Sequence, residues 1–549
     1  MFAAARPLRI KTPVTRAIRI QQGRTPTRRS FASRGPGRRR QIVHIQAAVS
    51  PATIITAIVI SGGIAFGLQQ YTTPAKPQPE AIKDDHAITF ESAKAMAAQT
   101  LPGRPGNLTP DQEVKLKDMW SQLLDIYGVT SSNTNGGSSR PSLDTPTTGT
   151  STPTTKPKKR LGLFGSKKDK SDPSTPNGSA SEGADNDKHG QNREFAAAIA
   201  STSPEELHQA FWEFVKMDNP DALLLRFLRA RKWDVHAAIV MMVSTGQWRS
   251  KEMHVDDDIM LRGEAWSVRE AAEGKTAQEK KEGEDFLAQL RMGKSFLHGI
   301  DKEGRPCCYV RCRLHRGGEQ TEKSLERFTV YTIETARLLL RPPVDTATVV
   351  FDMTDFSLAN MDYTPVKFMI KCFEANYPES LGSVVVYKSP WVFHSIWKII
   401  RGWLDPVVAS KVHFASNVGE LETWIPKSRI LKECGGDEDW SYTFPEPNAD
   451  EEKVLNDSQA KEAVLSERRT LAKEYEEETI AWISGTDAAS EKRASLTTQL
   501  EASYWRLDPF VRATSLYDRS RIIQPGGKLE FYPSQTTGNG VGGRDHELD

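Results

Sequence analysis

The sequence predicts an α/β protein in which a helical lobe precedes a mostly parallel sheet with crossover helices. Three observations carry this expectation. The runs CCYVRC, ATVVFD and GSVVVY, at 307–312, 347–352 and 382–387, are short and β-rich. Helical patterns around Arg327 to Arg341 and Pro365 to Tyr377 separate them, which is the order of a parallel sheet. Upstream, PEELHQAFWEFVKMDNPDALLLRFLRARKWDVHAAIVMMVSTGQWRS alternates apolar stripes and caps, as a small helical bundle does.

At 549 residues the chain is too long for one domain. Lys+Arg 73 against Asp+Glu 71 gives +2, which does not mark a nucleic-acid binder, but the charge is unevenly placed. No Asp or Glu precedes Glu80, and the first forty residues hold twelve Arg and Lys among Ser, Thr and Ala. That composition is similar to a mitochondrial transit peptide and predicts membrane association, with mitochondrial targeting through this segment. The run ATIITAIVISGGIAFGL, 52–68, is a candidate transmembrane helix at the short end of what spans a bilayer. A buried hairpin or part of a targeting signal is the alternative, and a cytoplasmic protein follows if the gene model joins residues 1–100 from a foreign exon.

Residues 76–100 read as a linker. In NLTPDQEVKLKDMWSQLLDIYGV, 107–129, Thr109 caps a helix, Pro110 opens it, and Leu116, Met119, Trp120 and Leu123 form its stripe. From 130 to 203 a Ser, Thr and Lys-rich composition predicts an unstructured insert. Its basic cluster KPKKRLGLFGSKKDK is either a solvated charge run or a weak contact to anionic lipid. Charged helices continue to about Met292, the α/β lobe occupies 291–445, and a long polar helix from about Asp450 to Ile483 opens a C-terminal extension with an unstructured end. The segment WVFHSIWKIIRGW, 391–403, is an amphipathic helix with an aromatic face. Val392, Phe393, Ile396, Ile400, Trp403 and Leu404 fall on one side, Lys398 and Arg401 on the other. Core, a partner or membrane groove, and the movable wall of an apolar cavity all fit it.

Catalytic signals do not accumulate. AQLRMGKS, 288–295, ends like a phosphate-binding loop, but Ala288 stands where that loop needs glycine and a helix precedes it. Asp352 and Asp355 in FDMTDF read as a strand-end carboxylate capping a turn, with a metal or phosphoryl pair as the alternative. The histidines show no metal-ligand spacing, and there is no GxSxG elbow. The expectation is a protein without catalytic residues, metal or cofactor. Five cysteines in no ladder predict buried thiols in a reduced compartment.

PDALLLRFLRARKWDVHAAIVMMVSTGQWR, IDKEGRPCCYV, YPESLGSVVVYKSPWVFHSIWKIIRGWLDPVVASKV and IPKSRILKECGG resemble the CRAL-TRIO family, and within it the fungal phosphatidylinositol transfer proteins. LPGRPGNLTPDQE, 101–113, resembles the start of those proteins, so the insert interrupts the helical lobe (101–129 and 204–290). The resemblance implies an apolar lipid cavity floored by the sheet and closed by a gate helix at 391–404, with Trp391, Phe393, Ile396, Ile400, Trp403 and Leu404 as gate and cavity residues. It also implies phosphatidylinositol as ligand, with Arg231 and Lys411 toward its phosphate and Glu379 toward inositol hydroxyls. Val408 replaces a threonine of that pattern, and Ser380 stands where close relatives often carry arginine. At the second, phosphatidylcholine-type site, Leu297 and Cys308 fall at likely tyrosine positions, and Ala347 and Val349 at likely hydroxyl positions. A more hydrophobic second lipid, a sterol or isoprenoid hydrocarbon, is expected there. The resulting reading is a monomeric, non-enzymatic carrier that exchanges phosphatidylinositol between membrane surfaces. A membrane-tethered lipid sensor, whose YWRLDPFVRATSLYDR segment binds a partner, is the alternative.

Overall fold

In a computed structural model of the chain, residues 101–130 and 187–533 are described. The basic N-terminus, the candidate span at 52–68 and the basic cluster at 156–170 lie outside them. Among the described residues no helix is long and apolar enough to cross a membrane.

Helix α1 (Pro110–Ile126) opens as expected, with Thr109 and Gln112 forming a reciprocal capping box and Leu116, Met119, Trp120 and Leu123 buried. The chain resumes at Asp187 and forms α2 (Gln191–Ser201), α3 (Pro204–Val215), α4 (Pro220–Ala230) and α5 (Val235–Gln247). Helix α2 corrects the expected insert, whose last part it occupies. With only Phe195 and Ile199 as large apolar residues its periodicity is weak, and packing on α5 supplies the stability. Helices α3, α4 and α5 start at Ser203, Asn219 and Asp234, whose side chains accept N–H groups of the first turn.

After α6 (Leu261–Glu273) and α7 (Ala277–Arg291) come β1 (Ser295–Ile300), β2 (Pro306–Arg311), α8 (Glu322–Leu338), β3 (Ala347–Asp352), α9 (Tyr363–Lys371) and β4 (Leu381–Tyr387). Then follow α10 (Phe393–Arg401), α11 (Pro406–Ser410), β5 (Val412–Ala415) and α12 (Val418–Leu421). The strands form one sheet in the order β1-β2-β3-β4-β5, antiparallel between β1 and β2 and parallel elsewhere. Register aligns Leu297, Cys308, Val349, Val384 and Val412 as one row across the sheet. Side chains alternate faces along a strand, so Val310, Phe351 and Val386 share that face. Tyr309, Val350 and Val385 point the other way, where Leu421, Ile425, Ile430 and Leu431 cover them.

The C-terminal extension forms α13 (Ser458–Ile483), α14 (Ala488–Val511) and α15 (Leu516–Arg519). Tyr475, Leu496 and Leu500 join the helical-lobe core beside Trp120 and Phe227. The carboxylate of Asp221 receives the Trp120 indole at 2.7 Å, the Tyr475 hydroxyl at 3.1 Å and Arg493 at 2.6 Å, which ties the extension to α1 and α4. The YWRLDPFVRATSLYDR segment is not a free partner-binding tail: Tyr504, Trp505, Leu516 and Tyr517 are buried in the α/β core. The Tyr517 hydroxyl accepts the Leu297 N–H at 2.8 Å, and the Tyr532 hydroxyl accepts the Ile300 N–H at 3.0 Å. Two side chains thereby cap the edge of β1 and block strand addition.

Candidate functional site

The Val349 face of the sheet floors a cavity of about 280 Å³. Leu325 and Phe328 of α8, Val366 and Ile370 of α9, and Phe393, Trp397 and Ile400 of α10 form its walls. The wall is mostly hydrocarbon and aromatic, with Lys294, Arg311, His315 and Asp362 also among its lining, and it accommodates acyl chains at roughly 0.8 kcal/mol per methylene removed from water. A smaller annex of about 80 Å³ shares Cys308, Val349, Phe373 and Leu381 with it and adds Arg226, Arg337 and Ser380. Cys308, Ala347 and Val349 thus line the annex or the cavity, while Leu297 is buried in the same row.

Helix α10 is the movable-wall candidate. Phe393, Ile400 and Leu404 line the cavity, and Ile396 is buried beside Met353 and Val386. Trp403 is half-buried, its ring 5.3 Å from that of Tyr363 and beneath Lys367. Trp391 is not a cavity residue: it precedes the first turn of α10 and is 84% exposed. The inward indole is Trp397, four residues after Phe393 and therefore on the same face of the helix.

The three headgroup candidates are placed by different elements. Arg231 ends α4 and donates to Gln191 Oε1 at 2.5 Å; burial lowers its pKa, and nearby Asp405 opposes that shift. Glu379 adopts a left-handed backbone conformation, φ 55°, and its carbonyl accepts from Arg226 at 2.8 Å. Lys411 ends α11, and its carbonyl accepts the Val384 N–H at 2.9 Å. All three side chains are half-buried, and among the described residues no hydrogen bond or ion pair joins one to another. Val408 lines the cavity and Ser380 the annex.

Sequence reasoning missed the anchor of the segment that follows α10. The Glu374 carboxylate accepts the Asp405 N–H at 2.6 Å, the Lys188 ammonium at 2.7 Å and His189 at 2.9 Å. Lys188 also donates to the Trp403 carbonyl. These charge-assisted bonds hold Glu374 below the usual carboxylate range despite its burial. Their signal lay in long-range pairing, 186 positions apart for Lys188 and Glu374, which no local pattern encodes.

Of the two candidate carboxylates, Asp352 has a structural duty. Asp352 Oδ1 accepts the Thr354 N–H at 3.0 Å, capping the turn after β3, and Oδ2 pairs with Arg313. Four of the five thiols are buried, and burial pushes Cys308 up to about 12.

A family model described as the CRAL/TRIO domain matches residues 290–436, and one for the CRAL/TRIO N-terminal domain matches 191–244. The chain is 42% identical to CRAL-TRIO domain-containing protein C3H8.02 of Schizosaccharomyces pombe over 80% of its own length and 96% of that protein. It is 37% identical to phosphatidylinositol transfer protein CSR1 of Eremothecium gossypii, over 77% of this chain and 98% of that one. The solved structure of Sfh5 overlaps 45% of this chain and 77% of its own at 15% identity, with a TM-score of 0.31. With its helical lobe, five-stranded sheet and apolar cavity, and with relatives matched over nearly their whole length, the chain belongs to the CRAL-TRIO family.

Proposed function

We propose that this protein carries phosphatidylinositol in the cavity beneath α10 and exchanges it between membranes as that helix moves. The observation that carries the reading is the cavity itself: its floor is a row of side chains fixed by strand register, and one of its walls is an amphipathic helix, α10. The likeness to a phosphatidylinositol transfer protein over most of both chains supports the choice of lipid. Arg231 and Lys411 offer donors to a phosphodiester, and Glu379 accepts from inositol hydroxyls. The reading is non-catalytic, since Asp352 is already committed to Arg313 and a turn.

The test is mass spectrometry of lipids copurifying with the full chain, beside a Glu379→Ala, Lys411→Ala double variant. Phosphatidylinositol in the parent and its loss from the variant are expected. A parent that carries only sterol or hydrocarbon would overturn the headgroup assignment and leave the cavity.

Exchange requires docking, and the outer surface of the gate is built for it. Trp391, Ile399, Val407 and Phe414 are exposed. Between Lys388 and Ala415 the chain has four Lys and Arg against Asp405 alone, so this surface favours an anionic bilayer. Trp391→Ala is expected to weaken partition onto phosphatidylserine-containing vesicles about tenfold, since burying a large apolar side chain contributes roughly 1.5–3 kcal/mol. Co-sedimentation measures it; unchanged partition would place docking elsewhere.

A further inference from the structure

One residue of the cavity wall does not fit a purely apolar container. Lys294 is 6% exposed, lines the cavity, and donates to Gln320 Oε1 at 2.8 Å. Among the described residues no carboxylate lies within ion-pair distance of its ammonium; Glu319, Asp285 and Asp362 act on it only from farther away. Several other polar groups that line the cavity are paired, the carboxylate of Asp362 among them. His315 faces Asp362 at 3.4 Å, Asn360 donates to the Arg313 and His315 carbonyls, and Arg311 is paired with Glu433.

An ammonium has three hydrogens, and the bond to Gln320 uses one. Burial brings the Lys294 pKa down to about 8, which leaves the amine mainly charged at neutral pH. A positive charge beside hydrocarbon, without a counter-ion, is costly, and the cavity lowers that cost most by admitting an oxyanion. The alkyl chain attached to that oxyanion would lie along Phe328, Val349 and Phe351, which line the same space.

We propose that Lys294 is an internal headgroup subsite for a single-chain anionic lipid of the long-chain carboxylate class, held head-inward with its chain on the sheet. This rests on the cavity being a lipid cavity, but not on phosphatidylinositol being its ligand. It also departs from the expectation of a wholly hydrophobic second ligand, since a sterol hydroxyl or a hydrocarbon would leave the charge uncompensated.

The test uses the full chain and its Lys294→Met variant, titrated with oleate and, separately, with uncharged oleyl alcohol by displacement of a fluorescent fatty-chain probe. A charge-assisted hydrogen bond in a dry site corresponds to roughly ten- to a hundredfold in affinity. Oleate is expected to weaken by that factor in the variant, while oleyl alcohol binds both proteins alike. Lys294→Arg should recover part of the oleate affinity. Thermal melting run alongside should show the methionine variant as stable as the parent or more so, because it removes an unpaired buried charge. Equal oleate affinity in the parent and the methionine variant overturns the subsite. Parallel loss of oleyl alcohol overturns it too, since the residue would then act by shaping the wall. The headgroup test at Glu379 and Lys411 can fail without affecting this result.

Discussion

Glu334→Ala is expected to cost about 3–5 kcal/mol of unfolding free energy, the loss typical when one member of a buried ion pair is removed and its partners are left charged. Glu334 lies on α8 with its side chain 1% exposed, at the junction of the two lobes. Its carboxylate takes Arg249 at 2.5 Å and Lys216 at 2.8 Å from the helical lobe, and the Tyr377 hydroxyl at 2.9 Å from the turn before β4. Asp256 bridges the same two cations at 2.9 Å and 2.7 Å. The attraction of Arg249 and Lys216 outweighs burial, so Glu334 is held well below the ordinary 4.5 and Asp256 below its ordinary 3.8. A carboxyl with a depressed folded pKa binds its proton more readily when unfolded. Its stabilisation is therefore present above the unfolded pKa and is lost as pH falls through the folded one. The parent should lose stability below about pH 4.5, and Glu334→Gln should lose less over the same interval. Urea unfolding at pH 7 and pH 4 measures both effects. A loss under 1 kcal/mol for Glu334→Ala would mean that the network does not couple the lobes.

Consecutive β-branched residues made β3 and β4 legible, and the Cys, Tyr and Val run did so for β2, because a strand buried on both faces has no polar alternation to dilute it. β1 was not legible: SFLHGI carries a histidine and a glycine, and its pairing with β2 is supplemented on the outer edge by Tyr517 and Tyr532, more than two hundred residues later. The four residues of β5 form a strand only beside β4. In the gate, spacing correctly put Phe393, Ile400 and Leu404 inward. It passed over Trp397, which also lines the cavity, while Trp391, named with the gate that the resemblance implied, precedes the helix. Lys294 was visible only as the end of a false phosphate loop; its significance depends on a sheet that brings it to the cavity, which local sequence does not describe. The extension was underestimated for a related reason: a charged helix reads as solvated until the carboxylates and cations it meets are known.

That last point sets a second large effect. Arg519, in α15, pairs with Glu264 of α6 and with Glu451 at 3.0 Å. Glu264 has a fully buried side chain and also accepts the Tyr331 hydroxyl at 2.7 Å and the Leu516 N–H at 3.0 Å. Burial nevertheless prevails, and its folded pKa lies above 4.5, the opposite of Glu334. Such a group takes up a proton more readily in the folded state, so its contribution becomes less favourable as pH rises from the unfolded pKa to the folded one. Removing Arg519 takes away the main attraction that limits this shift and leaves a buried carboxylate with neutral donors only. Arg519→Ala is therefore expected to cost about 3–5 kcal/mol at pH 8, and distinctly less at pH 5, where Glu264 escapes the penalty by protonation. Arg519→Lys keeps the charge and should lose less at pH 8. Denaturant unfolding at the two pH values separates this from simple loss of packing, which is independent of pH. Equal losses at pH 5 and pH 8 would show that Arg519 contributes through its contact with Phe444 and not through the Glu264 charge. A pH-dependent loss would show that the C-terminal segment stabilises the fold by neutralising a carboxylate that the rest of the chain has buried.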